Sequence, residues 1–281
     1  MTTIAPPDRT GPDVAPARQA RRRRPLQGRL LTIYTWVVIV WLCLPIGVMI
    51  LFGFNNTKGR YNNTWQGFTF KWYGRLFDIQ DLTNAMKNSL IIALLTMIIA
   101  GTIGTMVGLA LGRYRFRGSG STNLVMFAAI SSPEIVMGAA LLSLFVTLSV
   151  PLGFVTILIA HVMFSVSFVA VTVRARVMTL DPSMEEAARD LGAGTWATFR
   201  YVTLPMIFPG VLAGSLLAFA LSIDDFVITS FNAGSTTTFP LWIWGATKVG
   251  LPPQVNVMGT LIFTAGVLLA IGTALAGRRR A

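Results

Sequence analysis

Only 12% of the 281 residues are charged, against about 25% in ordinary soluble domains, and 53% are hydrophobic. That shortage excludes an ordinary soluble globular chain before any motif is read. There is one cysteine, Cys43, so neither an internal disulfide framework nor a cysteine-based metal site can form. His161 is the only histidine, which excludes a histidine-cluster metal centre. Lysine is scarce too. None of Lys58, Lys71, Lys87 and Lys248 follows the glycine that a phosphate-cradling Walker A loop requires. The chain thus offers no metal site, no cofactor site, no catalytic residue set and no nucleotide-hydrolysing motif of its own.

What is present is apolar sequence in long runs. A helix needs about 20 apolar residues to cross the hydrocarbon core. Six stretches qualify: 30–54, 88–111, 123–148, 153–173, 206–230 and 256–277. Backbone groups in lipid must bond internally, so each is expected to be helical. The fold class is all-α integral membrane, with six transmembrane helices in one domain over 30–277. Residues 1–29 are rich in Pro, Ala and Arg without periodicity and read as a disordered basic tail. The run Leu30–Phe54 is too long for a signal-peptide core, and no small-residue cleavage site follows it.

The formal charge of +12 would suggest nucleic acid in a soluble protein. Here the basic residues sit between apolar runs, where they encode topology instead. With the N-terminus inside, the inner segments hold Arg9, Arg18, Arg21–Arg24 and Arg29. They also hold Arg113, Arg115, Arg117, Arg174, Arg176, Arg189, Arg200 and the C-terminal Arg278–Arg280. Only Lys58, Arg60, Lys71, Arg75, Lys87 and Lys248 fall outside. Both termini are therefore expected in the cytoplasm. Two long outer loops, about 55–87 and 231–255, carry Trp65, Phe68, Phe70, Trp72, Tyr73, Trp242 and Trp244. They read as an interfacial aromatic belt, as a docking face for an external partner, or as both.

The inner loop of about 181–205 has its own helical code. Asp181 can cap a helix, with Pro182 at its first position. Glu185 and Glu186 follow where the helix dipole favours acids. Met184, Ala187, Ala188 and Leu191 share one face, and Gly192 suits the stop. Thr195 is expected to cap a second short helix, with Pro205 opening the next span. A helix of this length is marginal alone, so its small apolar face calls for a groove to sit in.

Glu186-Ala187-Ala188, three residues, Gly192, nine residues, then Val202-Thr203-Leu204-Pro205 resembles the EAA loop of bacterial ABC importer permeases, at every fixed position. A closer resemblance, over about residues 30–275, is to the spermidine/putrescine permeases of the PotC/PotI type, within the MetI-like binding-protein-dependent family. It rests on Trp65-Gln66-Gly67-Phe68-Thr69, Lys71-Trp72-Tyr73, Tyr114-Arg115-Phe116-Arg117-Gly118, Ser132-Pro133-Glu134-Ile135-Val136-Met137, Ser222-Ile223-Asp224-Asp225-Phe226-Val227 and Lys248-Val249-Gly250. The resemblance implies an inner-membrane permease subunit whose EAA loop seats on a separate ATPase dimer that binds ATP and Mg. Glu186 would face a basic group there, with Ala187, Ala188, Gly192, Leu204 and Pro205 shaping the contact. It also implies a second permease chain in a heterodimer, an extracytoplasmic polyamine-binding protein and alternating access.

Three carboxylates lie within apolar runs: Glu134, Asp224 and Asp225. Acids within spanning segments are functional by default and face the bundle interior. Counting helical rise places Glu134 about 16 Å from the inner end of its run and Asp224 about 27 Å from that of its own. A desolvated carboxylate with no counter-charge takes up a proton, and a passing polycation would keep it ionised. Glu134, Asp224 and Asp225, with Trp242, are therefore the candidate substrate-pathway residues. Adjacent aspartates point about 100° apart on a helix, so one of the two can instead cap a break or bond a neighbour. His161 reads as a hydrogen-bonded packing residue. Rival readings are an ABC permease for an amino acid, sugar or phosphonate, and an ion-coupled carrier with its acids as a proton relay. The carrier leaves the EAA loop unexplained.

Overall fold

The computed structural model describes residues 25–59 and 61–278. The sequence expectations for 1–24 and 279–281 lie outside them. The chain forms two units, divided between Leu51 and Phe52.

Helix α1 runs Pro25–Phe52, all but its last residue in the first unit. It starts five residues before the expected span, so the end of the supposed tail is helical. The second unit begins with a loop and a short helix α2 (Lys71–Gly74). Then come α3 (Gln80–Arg113), α4 (Ser119–Ser131), α5 (Glu134–Thr147) and α6 (Phe154–Met178). The segment 181–205 holds α7 (Ser183–Asp190) and α8 (Thr195–Thr198). A π-helical turn, Phe199–Thr203, leads from α8 into α9 (Leu204–Ile223). The chain closes with α10 (Val227–Asn232), α11 (Phe239–Thr247) and α12 (Pro253–Arg278).

At the core, α3 and α6 pack against each other and both pack against α9. Gly104, Gly108 and Gly112 of α3 face Val169, Val173 and Val177 of α6. A Cβ at Gly108 would lie 2.6 Å from the carbonyl of Ala170, so the backbones meet because no side chain stands between them. The pairs keep one constant offset along both helices, so α3 and α6 run parallel. Gly210 meets Arg176 while Gly214 meets Val169, so α9 runs antiparallel to them.

This parallel pairing fixes the path between α3 and α6. Five helices among the described residues are long and apolar enough to cross a membrane, and α4 with α5 makes a bent pair. Two parallel neighbours that both span require the intervening chain to return across the bilayer. The pair α4–α5 is therefore a sixth, broken span. It starts beside the C-terminal end of α6, where Arg174 bonds Asn123. It ends near the N-terminal end, where Phe145 clusters with Ala160.

Two expected spans are thus not single helices. The run 123–148 bends by 109° between α4 and α5. Pro133 is the cause: it disfavours helical geometry at Ser132, which is extended (φ −72°, ψ 133°). The run 206–230 stops at Ile223 and restarts at Val227. Two further expectations are corrected. Thr195 lies inside α8 and makes no capping bond; Gly194 is the cap. Pro205 does not begin a separate helix, because the π-turn carries α8 into α9. Proline has no N–H to donate, and the wider turn absorbs the missing bond.

The loop that precedes α2 is built around buried Asn55. Its side-chain amide donates to Asn62 (2.7 Å) and to the Thr64 carbonyl (2.7 Å), and its oxygen accepts the Gln66 N–H (2.6 Å). Trp72 donates its indole N–H to the Asn55 carbonyl at 2.7 Å. Next to it in sequence, Phe54 stacks on Phe68, meets Phe70 edge-on and Tyr73 obliquely. Partial burial there pushes the Tyr73 phenol up from its ordinary pKa.

Candidate functional site

The segment with the EAA pattern comes first. α7 starts at Ser183 with Pro182 at its N-cap, one residue later than expected, and the Asp181 carboxylate accepts the Ser183 N–H at 2.9 Å from just outside it. Hydrogen bonds from Ser183, then the nearby Arg113 charge, hold that carboxylate below its ordinary value. At the other end Gly192 adopts φ +87°. Its N–H donates to Arg189, and Ala193 donates back to Ala188 (2.9 and 3.0 Å). This is the Schellman arrangement, which a left-handed residue makes possible. The turn expected of Gly192 is therefore present in the backbone.

Between these caps the apolar face of α7 is turned outward. Met184 is exposed, Leu191 is 90% exposed, and Trp196 and Tyr201 beyond it are also exposed. Glu186 and Ala187 are exposed and Ala188 is half-buried. Leu204 is half-buried, and Pro205 is exposed at the start of α9. Glu185 points the other way. It pairs with Arg113, the last residue of α3, at 3.1 Å, and it accepts a hydrogen bond from Thr203 at 2.9 Å. The sequence reading gave Glu185 only a helix-dipole role. Neither Arg113 nor Thr203 announces itself in the pattern, because their meeting is long-range.

The second locus is the break between α9 and α10, where the adjacent aspartates part company. Asp225 turns inward and caps α10. Its oxygens accept the backbone N–H groups of Ile228 (3.3 Å) and Thr229 (2.7 Å) and the Thr229 hydroxyl (2.7 Å). His161, 3% exposed, reaches the same carboxylate at 3.1 Å through Nε2 and Ser222 at 2.7 Å through Nδ1. Ser222 in turn donates to Thr96 of α3 at 3.4 Å. One buried polar chain thus joins α3, α6, α9 and α10. His161 is the hydrogen-bonded packing residue its sequence setting suggested. Asp225 fills the capping option, not an open pathway position.

Asp224 faces a cavity of about 520 Å³ lined by Phe226, Phe239, Ile243, Trp244 and Phe263 among others. Phe226 and Trp244 stack obliquely, with ring centroids 5.2 Å apart. Apart from Asp224 the wall has no charged group. The sequence reading missed the aromatic ring around Asp224. Only Phe226 adjoins the break in sequence; Phe239 and Trp244 come from α11 and Phe263 from α12, so no local signal could have found the ring. Such a site suits an organic cation: the carboxylate supplies charge and the π faces supply cation–π attraction.

Glu134 and Trp242 are not brought into that cavity. Glu134 opens α5 at the Pro133 break with its side chain exposed. Because α4 and α5 diverge so sharply, the depth obtained by counting residues along one straight helix does not hold for it. Trp242 lies between two other cavities, of about 670 and 510 Å³. The smaller one is polar, with Asp81, Asn84 and Asn88 of α3 in its wall. Among the described residues no group of acids, cysteines and histidine is arranged to hold a metal.

Comparison with known proteins agrees with this geometry. A family model described as a binding-protein-dependent transport system inner membrane component matches residues 104–278. The chain is 39% identical over 256 residues to the spermidine/putrescine transport system permease protein PotC of Escherichia coli (strain K12). That match covers 91% of this chain and 95% of the relative. It is 38% identical over 233 residues to the putrescine transport system permease protein PotI of the same organism, covering 80% and 82%. A solved bacterial ABC transporter that imports the acidic polysaccharide alginate matches with a TM-score of 0.65 at 16% identity, over 92% of this chain and 97% of that one. The MetNI methionine transporter matches at 0.57 and 16%, over 70% and 93%. At those identities the likeness concerns the fold alone. Family model, relatives and fold together make this chain a member of the binding-protein-dependent inner-membrane permeases of ABC importers.

Proposed function

We propose that the chain moves a polyamine across the inner membrane as one permease of a heterodimer, driven by a separate ATPase pair and fed by an external binding protein. The observation that carries the reading is the lever: a short helix, capped at both ends, whose apolar face is exposed in this chain and whose residues fit the EAA pattern. Exposed apolar side chains rimmed by Glu186, Arg189 and Asp190 suit a partner's groove. In this reading Glu186, Ala187 and Ala188 enter the ATPase, Gly192 sets the turn, and Leu204 and Pro205 carry the motion into α9. ATP and Mg belong to the ATPase. The lever end and both termini face the cytoplasm, which agrees with the basic loops.

The names of the PotC and PotI relatives support a polyamine as the cargo. The cavity of Asp224 supports it independently, because its wall carries one acid, four aromatic rings and no basic residue. That composition disfavours an anionic solute. Asp224 is the principal amine contact, with Glu134 a second acid on the route and Trp242 on the other side of α11 from the Asp224 cavity. Asp225 contributes by holding the break in shape. Alternating access follows when ATPase closure displaces the lever and the bundle swings about its glycine seam.

The test is import by the reconstituted complex. Vesicles holding this chain, its partner permease and the ATPase should accumulate spermidine or putrescine only with ATP and binding protein. Deleting Ser183–Asp190 should abolish uptake. Persistent uptake without the lever, driven by an ion gradient, would refute the proposal and favour a secondary carrier.

A further inference from the structure

We infer that Glu185, which lies just before the matched pattern, is a positioning residue that ties the lever to two load-bearing helices at once. The inference rests on the importer reading above, because a lever matters only if something pushes it.

The geometry is a single carboxylate shared between two elements distant in sequence. Oε2 accepts from Arg113 Nη2 at 3.1 Å and from Nε at 3.3 Å. Oε1 accepts from Thr203 Oγ1 at 2.9 Å. Arg113 ends α3, the longest helix of the second unit. Thr203 is buried and ends the π-turn that feeds α9. The side chains of Arg113 and Glu185 are only 16% and 13% exposed, so solvent does little to loosen the pair. Charge-assisted, directional bonds of this kind resist sliding better than apolar contact does.

The rest of the molecule shows what such a link transmits. α3 cannot slip along α6, because Gly104, Gly108 and Gly112 sit in backbone contact with it. Further along α3, Thr96 joins the Ser222–His161–Asp225 chain at the α9–α10 break, next to the Asp224 cavity. A displacement of α7 therefore reaches α3 directly through Arg113 and α9 directly through Thr203. Without Glu185, it travels through the backbone turns at Asp181 and Gly192 and through the packing of α7 on α8 and the π-turn, which hold less firmly than a shared carboxylate.

A local ion pair that merely stabilises α7 makes a different prediction, so the decisive quantity is ATP hydrolysed per solute imported. Glu185→Ala and Arg113→Ala should each be measured in the full reconstituted complex with binding protein and spermidine. The ATPase should still co-purify and hydrolyse ATP within about twofold of wild type, while import falls about tenfold and the ratio rises by that factor. Thr203→Val, which removes only the Oε1 contact and keeps the side chain's shape, should raise the ratio about two- to threefold and guards against a folding failure. The exchanged pair Glu185→Arg with Arg113→Glu should recover at least half of the lost import. A wild-type ratio in Glu185→Ala and Thr203→Val overturns the inference. So does a parallel loss of hydrolysis and import at constant ratio, which would make Glu185 part of the ATPase contact. Glu186→Lys tests the underlying reading separately: if it leaves the ATPase attached and coupled, the importer reading fails whatever Glu185 does.

Discussion

Asp224→Asn and Asp225→Ala, made one at a time in the intact importer, should fail in different ways. Asp225 accepts two backbone N–H bonds at the start of α10, one hydroxyl bond and the His161 ring. Removing a helix cap costs about 1 kcal/mol, within a range of roughly 0.5–2. Buried His161 loses its carboxylate but keeps the Thr229 hydroxyl at 2.8 Å from Nε2, which adds about 1 kcal/mol. The total of about 2 kcal/mol corresponds to a thermal midpoint lower by roughly 5 °C. Asp224 makes no such bonds and faces the cavity, so its amide should melt within about 1 kcal/mol of wild type, as non-core substitutions do. The amide should instead cost transport. A carboxylate and an amine about 4 Å apart attract by about 4 kcal/mol at an effective dielectric of 20. Half-exposure reduces that to about 1.5–3 kcal/mol, or tenfold to a hundredfold in the rate-governing affinity. Thermal melts of the purified complex and spermidine uptake into vesicles read the two effects separately. Equal melting of Asp225→Ala and wild type would refute the capping role. Undiminished uptake by Asp224→Asn would remove the cavity from the pathway.

Other outcomes follow from the packing and the caps. Gly108→Val should separate α3 from α6, since even a Cβ would meet the Ala170 carbonyl at 2.6 Å. About 1–3 kcal/mol of overpacking should appear in the thermal melt, with uptake falling alongside. Gly192→Ala has open space around its new methyl but a φ of +87°, so it should weaken the lever turn by about 1–2 kcal/mol. Asparagine there should restore part of the coupling ratio. The Asp181 cap should depend on pH in one direction. Its folded-state pKa lies below the ordinary 3.8, so its contribution is complete above that value and is lost as pH falls through the lower one. The Ser183 amide resonance, followed down a pH titration, should shift below pH 3.8 and not above it.

Much of this was legible in one dimension. The apolar runs identified the spanning segments, because lipid demands about 20 residues of uncharged helix whatever the neighbours are. The caps and stop of α7 were readable because Asp181 and Gly192 act within four residues of themselves. The break at Pro133 was readable for the same reason. Its 109° consequence was not, because a local rule says that a helix stops and leaves open where the chain goes next.

The sequence by itself thus determined which segments enter the membrane, where the lever begins and ends, and that three acids stand where acids are costly. Tertiary structure alone decided that the third of these crossings is made by two helices bent sharply against each other. It also decided that Asp225 is spent on a cap while Asp224 meets an aromatic cavity, and that Glu185 grips the end of α3 and the π-turn that leads into α9. The physical reason is range. Helix formation, capping and transfer into lipid depend on a residue and its near neighbours, whereas the partner of a buried charge is chosen by how whole helices pack.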